Sequence, residues 1–228
     1  PIEDVVAEVA EPERALLVDN LRFVLDGRWR ATRETVRENS NRADLLPDPS
    51  RTLDEARAHT LEVMRELASQ GFAAAGFAED HGGSGDIGAS ITAIEMLGYA
   101  DLSLMVKAGV QWGLFGGAVE NLGTARHHEK YVPGIIDLSV LGCFAMTETG
   151  HGSDVQSILT TATYDPATDE LVVHSPSPAA RKDYIGGSAR DARLAAVFAQ
   201  LVVGEEQHGV HCVLVPLRDE SGRPMPGV

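Results

Sequence analysis

Over the first 140 residues the apolar positions recur with helical spacing. Leu17, Leu21, Val24 and Leu25 fall at i, i+4, i+7 and i+8, which predicts an amphipathic helix with Pro12 at its first position and Gly27 as its stop. A polar stretch holding Pro47 and Pro49 interrupts the pattern. The next helix starts at a capping box: the Thr52 hydroxyl can accept from a backbone amide while the Glu55 carboxylate reaches back. Leu53, Ala56, Thr60, Val63, Met64 and Leu67 then share one face, and Gly71 supplies a left-handed cap. A loop holding Gly76, Gly82, Gly83, Gly85 and Gly88 leads into two further helices, over about 89–100 and 103–122. The second is apolar and carries Gly109, Gly113, Gly116 and Gly117. Each glycine disfavours helix by ~1 kcal/mol relative to alanine, so close packing is expected there.

The period changes at Leu141. Thr160, Thr161, Thr163 and Tyr164 are strand formers, Asp165 to Asp169 reads as a turn, and Leu171, Val172 and Val173 resume: a hairpin. Residues 194–203 form a nearly continuous apolar run, and 210–215 form another that ends at Pro216. Both suit buried strands, although periodicity alone leaves a helix open for the first. Three or four strands leave open edges, so the chain is expected to stop inside a second module of residues 141–228, after a helical module of residues 1–140. A start at Pro1 rather than methionine reads as processing or trimming.

Composition narrows the function classes. The chain is 43% hydrophobic and 23% charged, which provides a core and argues against disorder. Its net charge of −15 repels a phosphate backbone, and no basic stripe offsets it, so no nucleic-acid partner is expected. No apolar run reads as approaching the ~18 residues of a membrane helix, and the N-terminus lacks a signal-peptide pattern. Cys143 and Cys212 make neither a metal spacing nor a disulfide framework, which suits a reducing, cytoplasmic location.

Candidate chemistry concentrates in two glycine segments. In the first, from Cys143 to Asp154, Gly150 and Gly152 permit close backbone approach and Thr147 and Ser153 offer hydroxyls. It reads either as a cradle for a cofactor's ring edge or pyrophosphate, or as a turn from helix to strand whose Ser153 and Asp154 satisfy local amides. The second, Tyr184-Ile185-Gly186-Gly187-Ser188, reads as a hairpin or bulge loop, or as an aromatic beside a backbone that approaches a planar ligand. Arg181, Lys182, Arg190 and Arg193 bracket it, and pairing with Asp183 and Asp191 is the commoner outcome for such a cluster. His127-His128 and His208-x-x-His211 lack a third ligand at metal spacing, and neither a nucleophile elbow nor a P-loop is present. No metal is expected.

The run Thr147-Glu148-Thr149-Gly150-His151-Gly152-Ser153-Asp154 resembles the flavin loop of the acyl-CoA dehydrogenase and acyl-CoA oxidase superfamily, with the histidine of the oxidases. Thr161 to Pro166, Glu170-Leu171 and Ser175-Pro176 are similar to the extended hairpin of acyl-CoA oxidases, and Phe198-Ala199-Gln200-Leu201 continues the match. Upstream, Ala78 to Gly85 looks like the family's Pro-Glu-x-x-Gly-Gly loop, and Gly123-Thr124 with Lys130-Tyr131-Val132-Pro133 resembles its Gly-Thr and Tyr-Leu-Pro segment. The motifs run in family order over residues 60–228.

The resemblance implies an α+β multidomain protein: an N-terminal all-α helical bundle, then an incomplete antiparallel β-barrel domain, with the family's C-terminal helical domain absent from this chain. It implies FAD as cofactor, lined by Phe144, Met146, Thr147, Gly152 and Ser153. Thr147 would bond the pyrimidine edge, and Ser153 would also face the substrate's pantetheine arm. Tyr184, Ile185 and Gly186 would stand where dehydrogenases have Trp-Ile-Thr, with the Gly186 amide near the reactive flavin nitrogen. The implied reaction is α,β-desaturation of an acyl-CoA thioester, with oxygen or an electron-transfer flavoprotein as acceptor, no membrane partner, and a homo-oligomer at full length. Three departures stand out. Asp183 replaces an aromatic, Ala78 replaces a proline, and the catalytic glutamate belongs to the absent domain, where neither Glu148 nor Glu79 can substitute. An oxidase fragment, a dehydrogenase fragment and a non-catalytic module of the same fold are the competing readings, and this chain alone is expected to bind FAD weakly.

Overall fold

The computed structural model describes residues 7, 10–40, 42 and 45–228, so Pro1 lies outside the described residues. Helix α1 (Glu13–Asp26) follows Pro12, which sits at the N-cap rather than at the first helical position. Its apolar stripe is not covered. Val24 and Leu25 are exposed, and Asp26 is the buried residue. Charge holds the helix instead: Asp26 accepts from Arg37 at 2.8 and 3.3 Å, and Asp19 pairs with Arg30. Helix α2 (Arg30–Ser40) has no counterpart in the hydrophobic pattern, because Ala31 and Val36 are its apolar residues. It is pinned by buried Val36 and by Arg33, which donates to both carboxylate oxygens of Glu95 at 3.0 and 3.1 Å.

Helix α3 (Leu53–Ser69) begins at the expected capping box. The Glu55 amide donates to the Thr52 hydroxyl at 3.3 Å, and the Thr52 amide donates to the Glu55 carboxylate at 2.8 Å. Thr60, Val63, Met64 and Leu67 are buried, and Gly71 takes the left-handed conformation at φ +79°. Helix α4 (Ile87–Leu97) is capped by Asp86, and α5 (Leu102–Leu122) is the spine of the helical region. Contrary to the sequence reading, α5 is long and apolar enough to cross a membrane by length and composition; here Leu104, Ala108, Trp112, Phe115 and Val119 are buried in the protein.

The middle of α5, Gly109–Gly116, is π-helical. Its glycines divide. A Cβ at Gly116 would come within 2.8 Å of the Phe77 ring, whereas Gly109, Gly113 and Gly117 meet nothing within 4 Å. Spaced four apart, those three lie along one open face, so the expected close packing holds only at Gly116. Helix α6 (Ala125–Ile136) closes the region, burying Val132 and Ile135.

Five strands follow: β1 (Gly142–Ala145), β2 (Thr161–Asp165), β3 (Glu170–His174), β4 (Leu194–Val203) and β5 (Glu206–Pro216). The sheet is mixed and open, not an antiparallel barrel. β4 pairs β5 antiparallel, while β1 runs parallel to its first half and β2 parallel to its second half. The expected hairpin is β2–β3, in register from Thr161↔His174 to Asp165↔Glu170. Local pattern marks strands but not their partners, and here two strands following the same neighbour in the same direction make the sheet mixed.

Alternate residues of β4 serve two faces. Leu194 and Ala196 join Met64, Phe77, Leu97, Trp112, Phe115 and Ile135 in one core, so helices pack directly on the sheet. Ala195 and Val197 join Cys143, Ala145 and Ala192 behind it. The contact is tight at Gly142, where a Cβ would stand 2.1 Å from the Phe115 ring.

Candidate functional site

Because β1 and β2 follow one edge of β4 in succession, residues 146–160 must leave that edge and return to it. The first glycine segment is this excursion. Its base is tied by Glu148, whose carboxylate is buried and accepts the amides of Leu159 and Thr160, each at 2.8 Å. Lys182 Nζ donates to the same carboxylate at 3.1 Å and to the Met146 carbonyl at 3.0 Å. Burial alone would raise the Glu148 carboxyl, but the Leu159 and Thr160 amides and Lys182 outweigh it and hold the group below the usual carboxylate range. Burial pulls the Lys182 ammonium down, and Glu148 offsets part of that. No sequence signal singled out this role for Glu148.

The first glycine segment pairs with residues 179–183, the stretch that leads directly into the second. Thr149 and Gly150 donate their amides to Arg181 and Ala179 carbonyls at 2.9 Å, and the Asp183 amide donates to the Thr147 carbonyl at 3.1 Å. Asp183 adds a side-chain link: it accepts from the Thr149 hydroxyl at 3.1 Å, the Tyr184 amide at 3.0 Å and Arg181 at 2.9 Å. The Arg181 guanidinium leads in holding the Asp183 carboxyl below its usual range. Three of the four cations are paired in place: Arg181 with Asp183, Lys182 with Glu148 and Arg190 with Asp191.

The candidate residues differ in what they present. The half-buried Phe144 ring tilts against Phe198 at 4.8 Å. Gly152 and Ser153 are exposed, and a Cβ at Gly152 would meet nothing within 4 Å. Tyr184 stands 84% exposed with φ +60°, a strained conformation for a side-chain-bearing residue. Ile185 packs into the core behind the sheet. Among the described residues, the amides of Gly152, Ser153 and Gly186 and the Thr147 hydroxyl donate to nothing in the protein, while the amides of residues 148–151 are all engaged.

An apolar cleft of about 500 Å³ opens beside Gly186. Thr60 and Met64 of α3, Val106, Val110 and Gln111 of α5, and Gly142 line it. Gln111 is buried and fixes the junction of helix and sheet: it accepts from the Gly142 amide at 2.9 Å and donates to the Val140 carbonyl at 2.9 Å. Sequence reasoning missed this residue, although a glutamine inside an apolar helical run is a detectable signal.

With this geometry in place, the chain's relatives decide the family. Residues 29–139 match the acyl-CoA dehydrogenase N-terminal domain and residues 143–227 match the acyl-CoA dehydrogenase middle domain. The chain belongs to the acyl-CoA dehydrogenase and oxidase family. Acyl-coenzyme A oxidase 3, peroxisomal, of Arabidopsis thaliana is 36% identical over 192 residues, covering 84% of this chain and 28% of that protein. Acyl-CoA oxidase 1 of Yarrowia lipolytica superposes with a TM-score of 0.74 at 27% identity, over 87% of this chain and 28% of the other. Acyl-CoA oxidase-1 of Caenorhabditis elegans, complexed with FAD and ATP, gives 0.65 at 25% identity over 87% and 29%. The chain thus spans under a third of the length of the relatives it matches. The cytoplasmic expectation is overturned by the peroxisomal naming of such relatives; a missing disulfide framework does not single out the cytoplasm among reducing compartments.

Proposed function

We propose that this chain is the part of an FAD-dependent acyl-CoA oxidase that holds the flavin's edge and one wall of the acyl site. The observation that supports this most strongly is the row of unengaged donors at Thr147, Gly152, Ser153 and Gly186, in segments linked through residues 179–183. Free amides and hydroxyls flanking the engaged amides of residues 148–151 fit a polar, anionic, planar ligand such as FAD, with which a structural relative was solved. Phe144 and Met146 would line the ring, Tyr184 and Ile185 would flank it, and Ser153 would also face the pantetheine arm. The adjacent apolar cleft fits an acyl chain.

The chemistry FAD supplies when bound is hydride acceptance from Cβ of the thioester, with the electrons passed on to oxygen as hydrogen peroxide. The chain's own part is to orient. The Gly186 amide is offered at the cleft, and the core behind β1 keeps the loop dry on one side. Glu148 is committed to two amides and Lys182 and is not the base; resemblance to the family assigns proton removal from Cα to a glutamate of its C-terminal helical domain. Residues 1–140 would form the helical domain, and 141–228 belong to a middle barrel domain, with β3 and β5 at the edges of the described sheet.

The matched relatives' names favour oxidase over dehydrogenase. The product of the complete gene should consume one oxygen and release one peroxide for each enoyl-CoA formed, measured with an oxygen electrode and chromatography of the thioesters. Turnover that needs an added electron-transfer flavoprotein and spares oxygen would favour the dehydrogenase instead. A protein that never takes up FAD would leave a non-catalytic module.

A further inference from the structure

We propose that Lys107 and Asp191 are positioning residues: their ion pair tethers the Gly186-bearing turn to α5 and so sets where the Gly186 amide stands at the cleft. This deepens the functional reading above and rests on it for its catalytic consequence only. The two side chains are 84 positions apart, in direct contact, and largely buried, 23% and 13% exposed. Both line the cleft.

The turn behaves as one hydrogen-bonded unit. The Asp191 and Ala192 amides both donate to the Gly187 carbonyl, at 3.1 and 2.9 Å. The Ser188 amide and hydroxyl both donate to the Ile185 carbonyl, at 3.3 and 2.8 Å. Moving Asp191 therefore moves Gly187 and, through it, Gly186. The unit meets α5 at two places one turn apart. One is the ion pair at Lys107; the other is Val110, whose methyl lies 3.3 Å from where a Gly186 Cβ would stand. The Val110 methyls border the space beside Gly186 on the helix side, and the ion pair prevents the turn from swinging away.

An ionic tether suits this place. The Lys107 stem can cover apolar surface beside Val106 while its ammonium reaches the carboxylate. Asp191 has a second cation, Arg190, but at 3.8 Å and half exposed, with Arg190 also reaching Asp54 at the start of α3 at 3.4 Å. Arg190 therefore fixes the turn far less firmly than Lys107 does.

The test is amide hydrogen exchange on the purified protein, comparing wild type with Lys107→Met, Asp191→Asn and Lys107→Arg. Loss of the pair should speed exchange at the Ser188, Asp191 and Ala192 amides about tenfold in the first two variants. Exchange in β4 and β5 should be unchanged, and Lys107→Arg should restore the slow rate. The near-isosteric Asp191→Asn guards against a misfolded Lys107→Met. Exchange at the wild-type rate in Asp191→Asn, or Lys107→Arg as fast as Lys107→Met, would overturn the tether.

In the product of the complete gene, kcat for an acyl-CoA thioester should fall about tenfold in Asp191→Asn with KM little changed, as expected when an interaction made in the transition state is misplaced. A raised KM at unchanged kcat would overturn the link to Gly186. If the wild type turns over no thioester, the functional reading fails while the exchange experiment still decides the tether.

Discussion

At the scale of single residues, Glu148 is the most consequential side chain outside the candidate contacts. Both of its oxygens accept backbone amides and one also meets Lys182, so Glu148→Gln must turn an amide NH₂ toward an N–H donor and leave Lys182 without a countercharge. The expected loss is about 3 kcal/mol of unfolding free energy, read by urea denaturation. Because the carboxyl is held below its unfolded value, its contribution is complete above the ordinary carboxylate range and is lost as pH falls below it. The gap between wild type and variant should therefore narrow on acidification; a gap that stays constant from neutral to acid pH would contradict this role. Residue identity alone made Thr52, Glu55 and Gly71 legible, since caps depend on local hydrogen bonds and backbone freedom. Glu148 was not legible as a staple, since its partners lie 11 and 12 residues away in a loop without periodicity.

At the scale of elements, the sequence reported most faithfully where burial imposes a period. The buried face of α3 follows directly from helical spacing, and the β2–β3 hairpin from strand formers on either side of the Asp165–Asp169 turn. Helix α2 stayed hidden because charges, not an apolar stripe, hold it, and the α1 stripe pointed to a covered face that the fold leaves open. The candidate site was half legible. Glycine marked both segments, but the ladder between Thr147–Gly150 and Ala179–Asp183, and the cleft beside it, depend on contacts that span the chain. The π-helical middle of α5 offers a sharp test. Gly113→Ala enters open space and replaces a poor helix former, so it should stabilise by about 0.5–1 kcal/mol. Gly116→Ala drives a methyl against Phe77 and should destabilise by about 1–3 kcal/mol. Thermal unfolding of both variants checks the pair, and equal shifts of one sign would contradict the division of the helix into open and packed faces.

At the scale of the whole molecule, a helical layer packed on one face of a mixed sheet leaves a single edge loop between β1 and β2, and residues 179–183 dock on it. The position of the candidate site follows from topology: the loop leaving β1 pairs through Thr147–Gly150 with Ala179–Asp183, just ahead of Tyr184–Gly186, and the helices supply the neighbouring cleft. In the function we propose, these two segments hold a flavin against an acyl thioester. The most direct measurement is the visible absorption spectrum of the product of the complete gene, recorded without oxygen while acyl-CoA thioesters of increasing chain length are added. We predict an oxidised flavin band that bleaches on addition of a thioester. A protein that stays colourless after reconstitution with FAD, or a flavin band that no thioester bleaches, would contradict the account.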